Sequence, residues 1–307
     1  MSFPTAAVII AAHTISRLAN IEKCVASVGA GTIAPQEIIV VVDDNVYLAD
    51  VLTTRLPPEV TVLLSDGKGA SAARNTGVVH ASSDVVCCID DDAWAEPGWL
   101  EALLTTMADS AIVSVGGKIL PEYEEVEGYQ LPAELLWLVG ATYAGHWQAA
   151  GPISRPIGAN MAFRRAPFLD VGGFSSDFGP IGATKNNSNE EYFLALGLRK
   201  RYGDNSIVYA PTAIVHHYVP RTRLTWRYLI KRCWVEGVSK AKIRRYGSAS
   251  TMDHDKGYLL ETLIPAVFAH VWHGLRGKDG ELKSAVWDAC TIATTATGFL
   301  FGRMSNN

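Results

Sequence analysis

The sequence lacks the cysteine patterns of extracellular and zinc-binding proteins. Its 307 residues include five cysteines, an odd number, and none of them is in a CxxC spacing. Neither a disulfide framework nor a zinc ribbon is therefore expected. Cys87 and Cys88 lie inside an apolar run, where thiols usually pack as small hydrophobic groups. The cysteines thus favour a reducing compartment, and we expect a cytoplasmic protein.

Long apolar runs are also missing. The N-terminal segment MSFPTAAVIIAAH has no basic residue before its apolar part, so it predicts a first β-strand rather than a signal peptide. Residues 258–272 contain Glu261 and Pro265, and residues 285–301 contain Asp288. Neither stretch provides the roughly 18 clean apolar residues of a membrane span. We therefore predict no transmembrane helix.

Positive charge is scarce outside one segment. Residues 221–246 contain nine Lys and Arg against a single acid, Glu236, whereas the remaining residues carry 18 basic and 30 acidic side chains. A basic island on an acidic chain indicates either an anionic partner, such as phosphate or a membrane surface, or a solvated helix face. Because the island is short, nucleic-acid binding is not expected.

Apolar runs alternate with helical patterns in the first hundred residues. Strands are predicted at 7–12, 38–42, 60–64 and 85–89, and helices at 18–28, 71–80 and 99–107. Strands that are apolar at every position and separated by helices indicate a parallel sheet covered on both faces. Further strands are predicted at 112–116, 161–164, 207–210 and 213–216, with a basic helix over 225–246. The predicted fold class is α/β.

Two of these strands end in clustered aspartates, Asp43-Asp44 and Asp90-Asp91-Asp92. In a parallel sheet both clusters lie at the same edge, where ligands bind. Neighbouring carboxylates repel one another unless a cation offsets their charge. Carboxylate oxygens suit Mg²⁺ or Mn²⁺ bound together with substrate phosphates. The alternative is that Asp92 only orders a turn, but two clusters at one edge favour a metal and phosphate site.

The second half of the chain adds three candidate features. Glu190-Glu191 begins a helical stretch, where acids either stabilise the helix dipole or act as a general base. His216-His217 follows a predicted strand. The Gly-, Ser- and Asn-rich residues 172–189 predict a loop, and we expect its part 175–189 to close over a bound ligand.

Together these segments resemble the family 2 glycosyltransferases. The resemblance rests on VIIAAH, VVVDDN, GASAARNTG and CIDDDAWAEPGWL, followed by IGANMAFRR, GGF, the acidic pair, HHYVP and TWRYLIKRCWVEGVSKA. These motifs occur in the family's order over most of residues 5–245. The resemblance implies the GT-A fold, a Rossmann-like, mostly parallel sheet flanked by helices. It also implies a catalytic domain at 1–220, with nucleotide-binding (1–110) and acceptor (111–220) halves, and a helical C-terminal region at 221–307.

The family's roles can be carried over to individual positions. For the nucleotide sugar, the resemblance implies Ala11 and His13 at the base pocket, Asp44 accepting from the base, Lys68 and Arg74 near the diphosphate, and Asp90 or Asp91 at the ribose. It implies Asp92 and His217 as metal ligands, Glu191 as the general base with Glu190 as the alternative, and Asn160 and Trp234 as acceptor contacts.

The resemblance implies an inverting transfer from a nucleotide-diphosphate sugar, with Mg²⁺ or Mn²⁺, to the hydroxyl of a glycolipid, a polyprenyl-linked sugar or a small molecule. The basic helix then either lies on the anionic inner face of the membrane or packs its tryptophans under the acceptor site. A sugar nucleotidyltransferase is disfavoured because VIIAAHTISR lacks a Gly-rich loop with a basic signature. A non-catalytic nucleotide-sugar-binding protein is disfavoured because the acidic clusters are all present.

Overall fold

The apolar runs form the central sheet of the protein. The computed structural model describes residues 3–124, 130–175, 178, 189–247 and 252–305. These residues form two compact units, the first within Met1–Leu120, Trp147–Asn186 and Glu190–Tyr218 and the second within Pro121–His146, Asn187–Asn189 and Val219–Asn307. The division of the chain at residue 220 stays a prediction.

The sheet is parallel in its first four strands and antiparallel beyond them. Its strands are β1 (Ala6–Ala12), β2 (Glu37–Val42), β3 (Val60–Leu64), β4 (Val85–Asp90), β5 (Ala93–Ala95), β6 (Ser114–Tyr123), β7 (Gly151–Pro152), β8 (Asn160–Arg164) and β9 (Ile207–Val219). The order is β3-β2-β1-β4-β8-β6-β9-β5, and β7 pairs with β9. Strands β1 to β4 pair in parallel, whereas β8 is antiparallel to β4 and β6, and β5 and β7 are antiparallel to β9. The predicted α/β class is confirmed.

Helices cover the sheet of the first unit. They are α1 (Leu18–Gly29), α2 (Val46–Arg55), α3 (Ala70–His80), α4 (Trp99–Thr106), α5 (Arg165–Asp170) and α6 (Glu190–Tyr202). Helix α3 packs so closely that a Cβ on Gly77 would lie 2.6 Å from the Ile9 side chain. Helix α2 was not predicted, although Asn45 caps it by accepting from the Leu48 amide.

One predicted boundary in the sheet is wrong. The two strands expected at 207–210 and 213–216 form the single strand β9, which continues through Pro211. Proline removes one amide donor, but its fixed φ remains compatible with extended backbone where no donor is required. The longer strand carries the chain without a break to His217, which is important for the site.

The second unit is largely helical. It contains α7 (Trp226–Ile243), α8 (Asp253–Gly257), a π-helix (Tyr258–Leu263), α9 (Ile264–Leu275), α10 (Glu281–Met304) and a 3₁₀ helix (Ala133–Val139). Glycines let α7 and α10 approach closely: a Cβ on Gly298 would lie 2.6 Å from the carbonyl oxygen of Trp234. Within the described residues, no helix combines the length and the apolar character needed to span a bilayer.

Candidate functional site

Strand pairing brings the second acidic cluster to His217. Asp90 ends β4, and three residues later the chain enters β5, where Ala93 pairs with His217 of β9. The Tyr218 amide also donates a hydrogen bond of 2.8 Å to the Asp92 carbonyl. This antiparallel register places His217 beside Asp92, although 125 residues separate them in the sequence.

Asp90, Asp92 and His217 form a group that fits a divalent cation. One ligand atom from each lies within 4.8 Å of the others, and His217 Nε2 is 3.1 Å from Asp92 Oδ1. Asp92 and His217 are buried, whereas Asp90 is partly exposed and therefore open to a ligand. Two carboxylate oxygens and one imidazole nitrogen suit Mn²⁺, and also Mg²⁺ with added water or phosphate oxygens.

Arg17 pairs with two residues of this cluster and was missed by the sequence analysis. Its guanidinium contacts the Asp91 carboxylate and lies 3.1 Å from Asp92 Oδ2. The signal was available, because Arg17 lies just after β1, at the sheet edge where ligands bind. Burial raises the pKa of Asp91 to about 7, although Arg17 acts in the opposite direction. Asp91 is almost fully buried, whereas Asp90 is partly exposed, and the ribose contact of Asp90 or Asp91 stays a prediction.

Arg74 joins this cluster to the acidic pair on α6. Its side chain is buried, with one guanidinium nitrogen 2.7 Å from Asp90 Oδ1 and the other 3.0 Å from Glu190 Oε1. Arg74 thus already has two carboxylate partners. Its contact with the diphosphate stays a prediction. The end of β4 and the first turn of α6 thus share one ionic network.

Glu191 lies beside this network. A Cβ on Gly158 would be 3.6 Å from an Arg74 guanidinium nitrogen and 3.7 Å from Glu191 Oε1, so both groups border the same glycine. Glu191 Oε2 is buried and accepts no hydrogen bond from a described residue. Burial and the Glu190 carboxylate raise the pKa of Glu191, whereas the positive charges of Arg155 and Arg74 lower it. Such a carboxylate suits a general base.

Arg155 was also missed by the sequence analysis. Its guanidinium lies 4.4 Å from the centroid of the Tyr192 ring, next to Glu191 in α6. Arg155 lies just before the IGANMAFRR segment, which was singled out only because it resembles a motif of the family. No local sequence pattern predicted a role for Arg155, because only folding of the chain brings its charge near Glu191.

The first acidic cluster does not share the cation site, which corrects the sequence-based expectation. The metal-binding group among the described residues of the first unit contains neither Asp43 nor Asp44. Strand β1 lies between β2 and β4, so the two clusters are separated by two strand spacings, about 10 Å. Asp43 Oδ2 instead accepts a 2.9 Å hydrogen bond from the Gly69 amide.

The residues expected at the base pocket lie along the same edge. Asp44 adopts a left-handed φ of 50°, and its exposed carboxylate is 2.7 Å from Lys68 Nζ. Ala11 aligns with Asp90 in the β1–β4 register. His13 is exposed one residue beyond β1, and partial burial and the charge of Arg17 lower the pKa of His13. Their contacts with a nucleotide remain predictions.

Asn160 does not have the surface position of an acceptor contact. Its side chain is fully buried, and its oxygen accepts a 2.8 Å hydrogen bond from Trp99 Nε1. Its amide nitrogen donates to the carbonyl oxygens of Lys118 and Ala213. All of these bonds tie strands and helix together. These contacts give Asn160 a structural role, and its contact with the acceptor stays a prediction.

Trp234 lines a groove in the second unit. The groove has a volume of about 470 Å³ and is formed by Trp226, Arg227, Ile230, Lys231, Trp234 and Thr294. Aromatic and basic residues of α7 thus line one groove, whose wall is almost wholly apolar. Most of the loop expected to close over the ligand, residues 176–177 and 179–188, lies outside the described residues.

Comparison with known proteins gives the family. The family model described as Glycosyl transferase family 2 matches residues 7–172. A relative from Haloferax volcanii, glucosyl-dolichyl phosphate glucuronosyltransferase, is 30% identical over 306 residues, covering 98% of this chain and 96% of that protein.

Solved structures give the same fold. The mannosyltransferase PcManGT from Pyrobaculum calidifontis, in complex with GDP-Man and Mn²⁺, superposes with a TM-score of 0.67 at 18% identity, covering 98% of this chain and 88% of that one. GalNAc-T7 with UDP, GalNAc and Mn²⁺ superposes with a TM-score of 0.55 at 15% identity, covering 88% and 58%. The fold is thus GT-A. Since the family model matches more than half of the residues of this chain, the chain belongs to glycosyl transferase family 2 and is a glycosyltransferase.

Proposed function

We propose that this chain transfers a sugar, with inversion, from a nucleoside-diphosphate sugar to the hydroxyl of a lipid-linked acceptor. The observation that carries the proposal is the ionic network of Arg74. Through Asp90 and Glu190 it connects the group that fits a cation to the buried Glu191 carboxylate. We further propose that residues 1–220 form the catalytic part and that residues 221–307 serve the acceptor side.

The donor is positioned along the edge of the parallel strands. In this proposal Ala11, His13 and Asp44 contact the base, and Lys68, which pairs with Asp44, provides a cation for the phosphates. Asp92 and His217, with Asp90, would hold Mn²⁺ or Mg²⁺, whose chemistry is to neutralise charge on the leaving diphosphate. Arg17 holds the Asp92 carboxylate in position. A rigid set of this kind needs little reorganisation during the reaction.

Glu191 removes the proton from the acceptor hydroxyl. The hydroxyl oxygen then forms a bond to the anomeric carbon as the bond from that carbon to the diphosphate oxygen breaks. The electron pair leaves with the nucleoside diphosphate, and the proton stays on Glu191. A single displacement from the opposite face inverts the anomeric configuration. Glu191 suits this role because its raised pKa gives the carboxylate enough basicity while Arg74 and Arg155 keep it ionisable.

The acceptor proposal is supported by the groove on α7. Trp226 and Trp234 offer apolar surface to a groove whose wall is almost wholly apolar, and Arg227 and Lys231, which also line it, carry positive charge at the ends of their side chains. A polyprenyl phosphate has the matching chemistry, an apolar chain carrying an anionic head. The name of the Haloferax volcanii relative states that it acts on glucosyl-dolichyl phosphate. We therefore propose a sugar linked to a polyprenyl phosphate as the acceptor.

A peripheral attachment to anionic membrane is supported by α9. Phe268, Trp272 and Leu275 are more than half exposed and recur at helical spacing on one face. Exposed apolar side chains that share one face are typical of interaction sites. We propose that this face and the basic residues of α7 both contact the inner leaflet of a membrane.

The transfer reaction tests the proposed function. We expect label from one member of a panel of UDP- and GDP-sugars to enter a short-chain polyprenyl-phosphate sugar in the presence of Mn²⁺. A chelator should abolish the transfer, and Mn²⁺ added back should restore it. NMR of the product should show an inverted anomeric centre. Retention of configuration, or full activity in the presence of chelator, would contradict the proposal.

Flotation with vesicles tests the membrane partner. We expect the wild type to float with vesicles containing anionic lipid and not with neutral ones. Because each basic residue near an anionic surface contributes about 1 kcal/mol, Arg227→Gln/Lys231→Gln should lower the constant for binding to the vesicles at least tenfold. The matched control Lys200→Gln/Arg201→Gln removes the same charge from α6 and should float like the wild type. Equal loss in both double variants would exclude a specific role of α7.

A further inference from the structure

The second unit contains another cluster of metal-binding side chains, separate from the residues assigned to transfer. Glu134 lies on the Ala133–Val139 helix, His270 on α9 and Asp288 on α10. One ligand atom from each lies within 4.8 Å of the others. His270 Nε2 is 2.7 Å from Glu134 Oε1 and 3.8 Å from Asp288 Oδ2. The proposed transfer reaction uses none of these three side chains.

The burial of Asp288 is the observation that points to a ligand. Its side chain has no exposed surface, and neither carboxylate oxygen accepts a hydrogen bond from a described residue. The buried Glu134 carboxylate, which faces the same space, adds a second negative charge. His270 Nε2, 3.8 Å from Asp288 Oδ2, is too far away to donate a hydrogen bond to it. A buried carboxylate without a hydrogen-bonded partner is strongly unfavourable. The cluster therefore needs a positive charge between its side chains.

Glu281 orients the histidine toward this space. Its carboxylate contacts His270 Nδ1, so the other ring nitrogen, Nε2, is turned to Glu134 and Asp288. Histidines that bind metals generally donate their second N–H to a carboxylate or a carbonyl oxygen, which sets the tautomer. Glu281 has the position of such an outer carboxylate, and Lys278 in turn pairs with Glu281. The arrangement thus has three side chains that could bind the ion and a carboxylate, Glu281, that orients one of them.

We propose that Glu134, His270 and Asp288 bind a divalent metal ion, Zn²⁺ or Mn²⁺, that ties the Ala133–Val139 helix, α9 and α10 together. Two carboxylate oxygens and one imidazole nitrogen are a ligand set that both ions accept. The two positive charges of the ion balance the two buried carboxylates. The site is structural, so its ion stabilises the second unit and takes no part in transfer.

Counting the ions in the full chain tests this site. After chelation, the protein is titrated with Zn²⁺ or Mn²⁺, and bound ions are counted by native mass spectrometry. We expect two ions in the wild type, one in His270→Gln and one in His217→Gln. The control His80→Gln, at an exposed histidine on α3, should retain both. In His217→Gln, saturating metal should raise Tm by about 5 °C, and in His217→Gln/His270→Gln it should not.

The variant Asp288→Asn distinguishes between a bound metal ion and a bound proton as the positive charge in this cluster. Burial, together with the Glu134 carboxylate, raises the pKa of Asp288 to about 7, so a proton held by these acids is the competing explanation. We expect metal-free Asp288→Asn to unfold at the same or a higher temperature than the metal-free wild type, and to gain no stability from metal. An ion count unchanged by both His270→Gln and Asp288→Asn would overturn the structural site. An ion count unchanged by His217→Gln would instead contradict the metal site of the proposed function.

Discussion

Replacing Asp92 with Asn is expected to lower kcat by about 10³-fold. The change keeps the volume of the side chain but removes the negative charge that, with Asp90 and His217, forms the group that fits a cation. Electrostatic groups that act on charge developing in the transition state contribute about 10²–10³-fold each. The measurement is transfer at saturating donor across a series of Mn²⁺ concentrations. The Mn²⁺ concentration for half-maximal rate should also rise.

Asp84→Asn is the matched control for Asp92→Asn. Asp84 immediately precedes β4, at the opposite end from Asp90, and its exposed carboxylate accepts a 2.8 Å hydrogen bond from the Thr5 hydroxyl. The same chemical change there should leave kcat within about twofold, because surface substitutions away from a site usually have small effects. Wild-type turnover in Asp92→Asn would refute the proposed metal site.

Replacing Glu191 with Gln is expected to lower kcat/KM by about 10³-fold, within the 10²–10⁴-fold range of general base catalysis. Glutamine has nearly the same shape but does not accept a proton from the acceptor hydroxyl. Donor binding should be nearly unchanged, and it can be measured by calorimetry with Mn²⁺ and an unreactive donor analogue. A full loss of donor binding would indicate a structural role for Glu191.

Glu190→Gln distinguishes the two neighbouring acids. If Glu191 is the base, Glu190→Gln loses much less activity than Glu191→Gln, because glutamine at position 190 keeps an oxygen that accepts the hydrogen bond from Arg74. Abolished transfer in Glu190→Gln with activity retained in Glu191→Gln would reverse the assignment. Helix α6 begins at this pair, so circular dichroism and Tm should confirm that both variants fold.

The pH dependence of kcat/KM provides a second, independent test of whether Glu191 is the base. A base acts when deprotonated, so transfer is lost as pH falls through the raised pKa of Glu191. The acid limb of kcat/KM should therefore lie above the ordinary glutamate pKa of about 4.3. In Glu190→Gln the neighbouring negative charge is gone, so the acid limb should move to lower pH. A limb that stays in place would show that a different group titrates.

The sequence predicted much of the sheet because its strands are locally encoded. Runs such as IIVVV and VVCCI are apolar at every position, which identifies buried strands without knowledge of their neighbours. Asp92 was singled out because its cluster follows such a strand, whereas the roles of His217 and Glu191 came from the family resemblance. By contrast, α2 was missed because its apolar positions are weakly periodic, and its capping residue Asn45 was the best available signal.

Contacts between residues that are distant in the sequence could not be predicted from local sequence patterns. The separation of Asp44 from the cation group depends on the strand order, in which β1 lies between β2 and β4. The burial of Asn160 depends on carbonyl groups of two other strands. Arg155 affects Glu191 from a segment 36 residues earlier in the chain. In each case the deciding neighbour is distant in the sequence, so no window of residues contains both partners.

The sequence by itself determined the α/β class, the family and the residue types available for transfer, because hydrophobic periodicity and motif order are properties of the chain. Only the tertiary structure decided which carboxylates share a cation group, which arginines pair with them and which acids are buried. Those outcomes depend on distances of a few ångströms and on exclusion of water, and both arise when remote segments pack together. The cluster of Glu134, His270 and Asp288 is the clearest case, because its members come from three segments and follow no sequence motif.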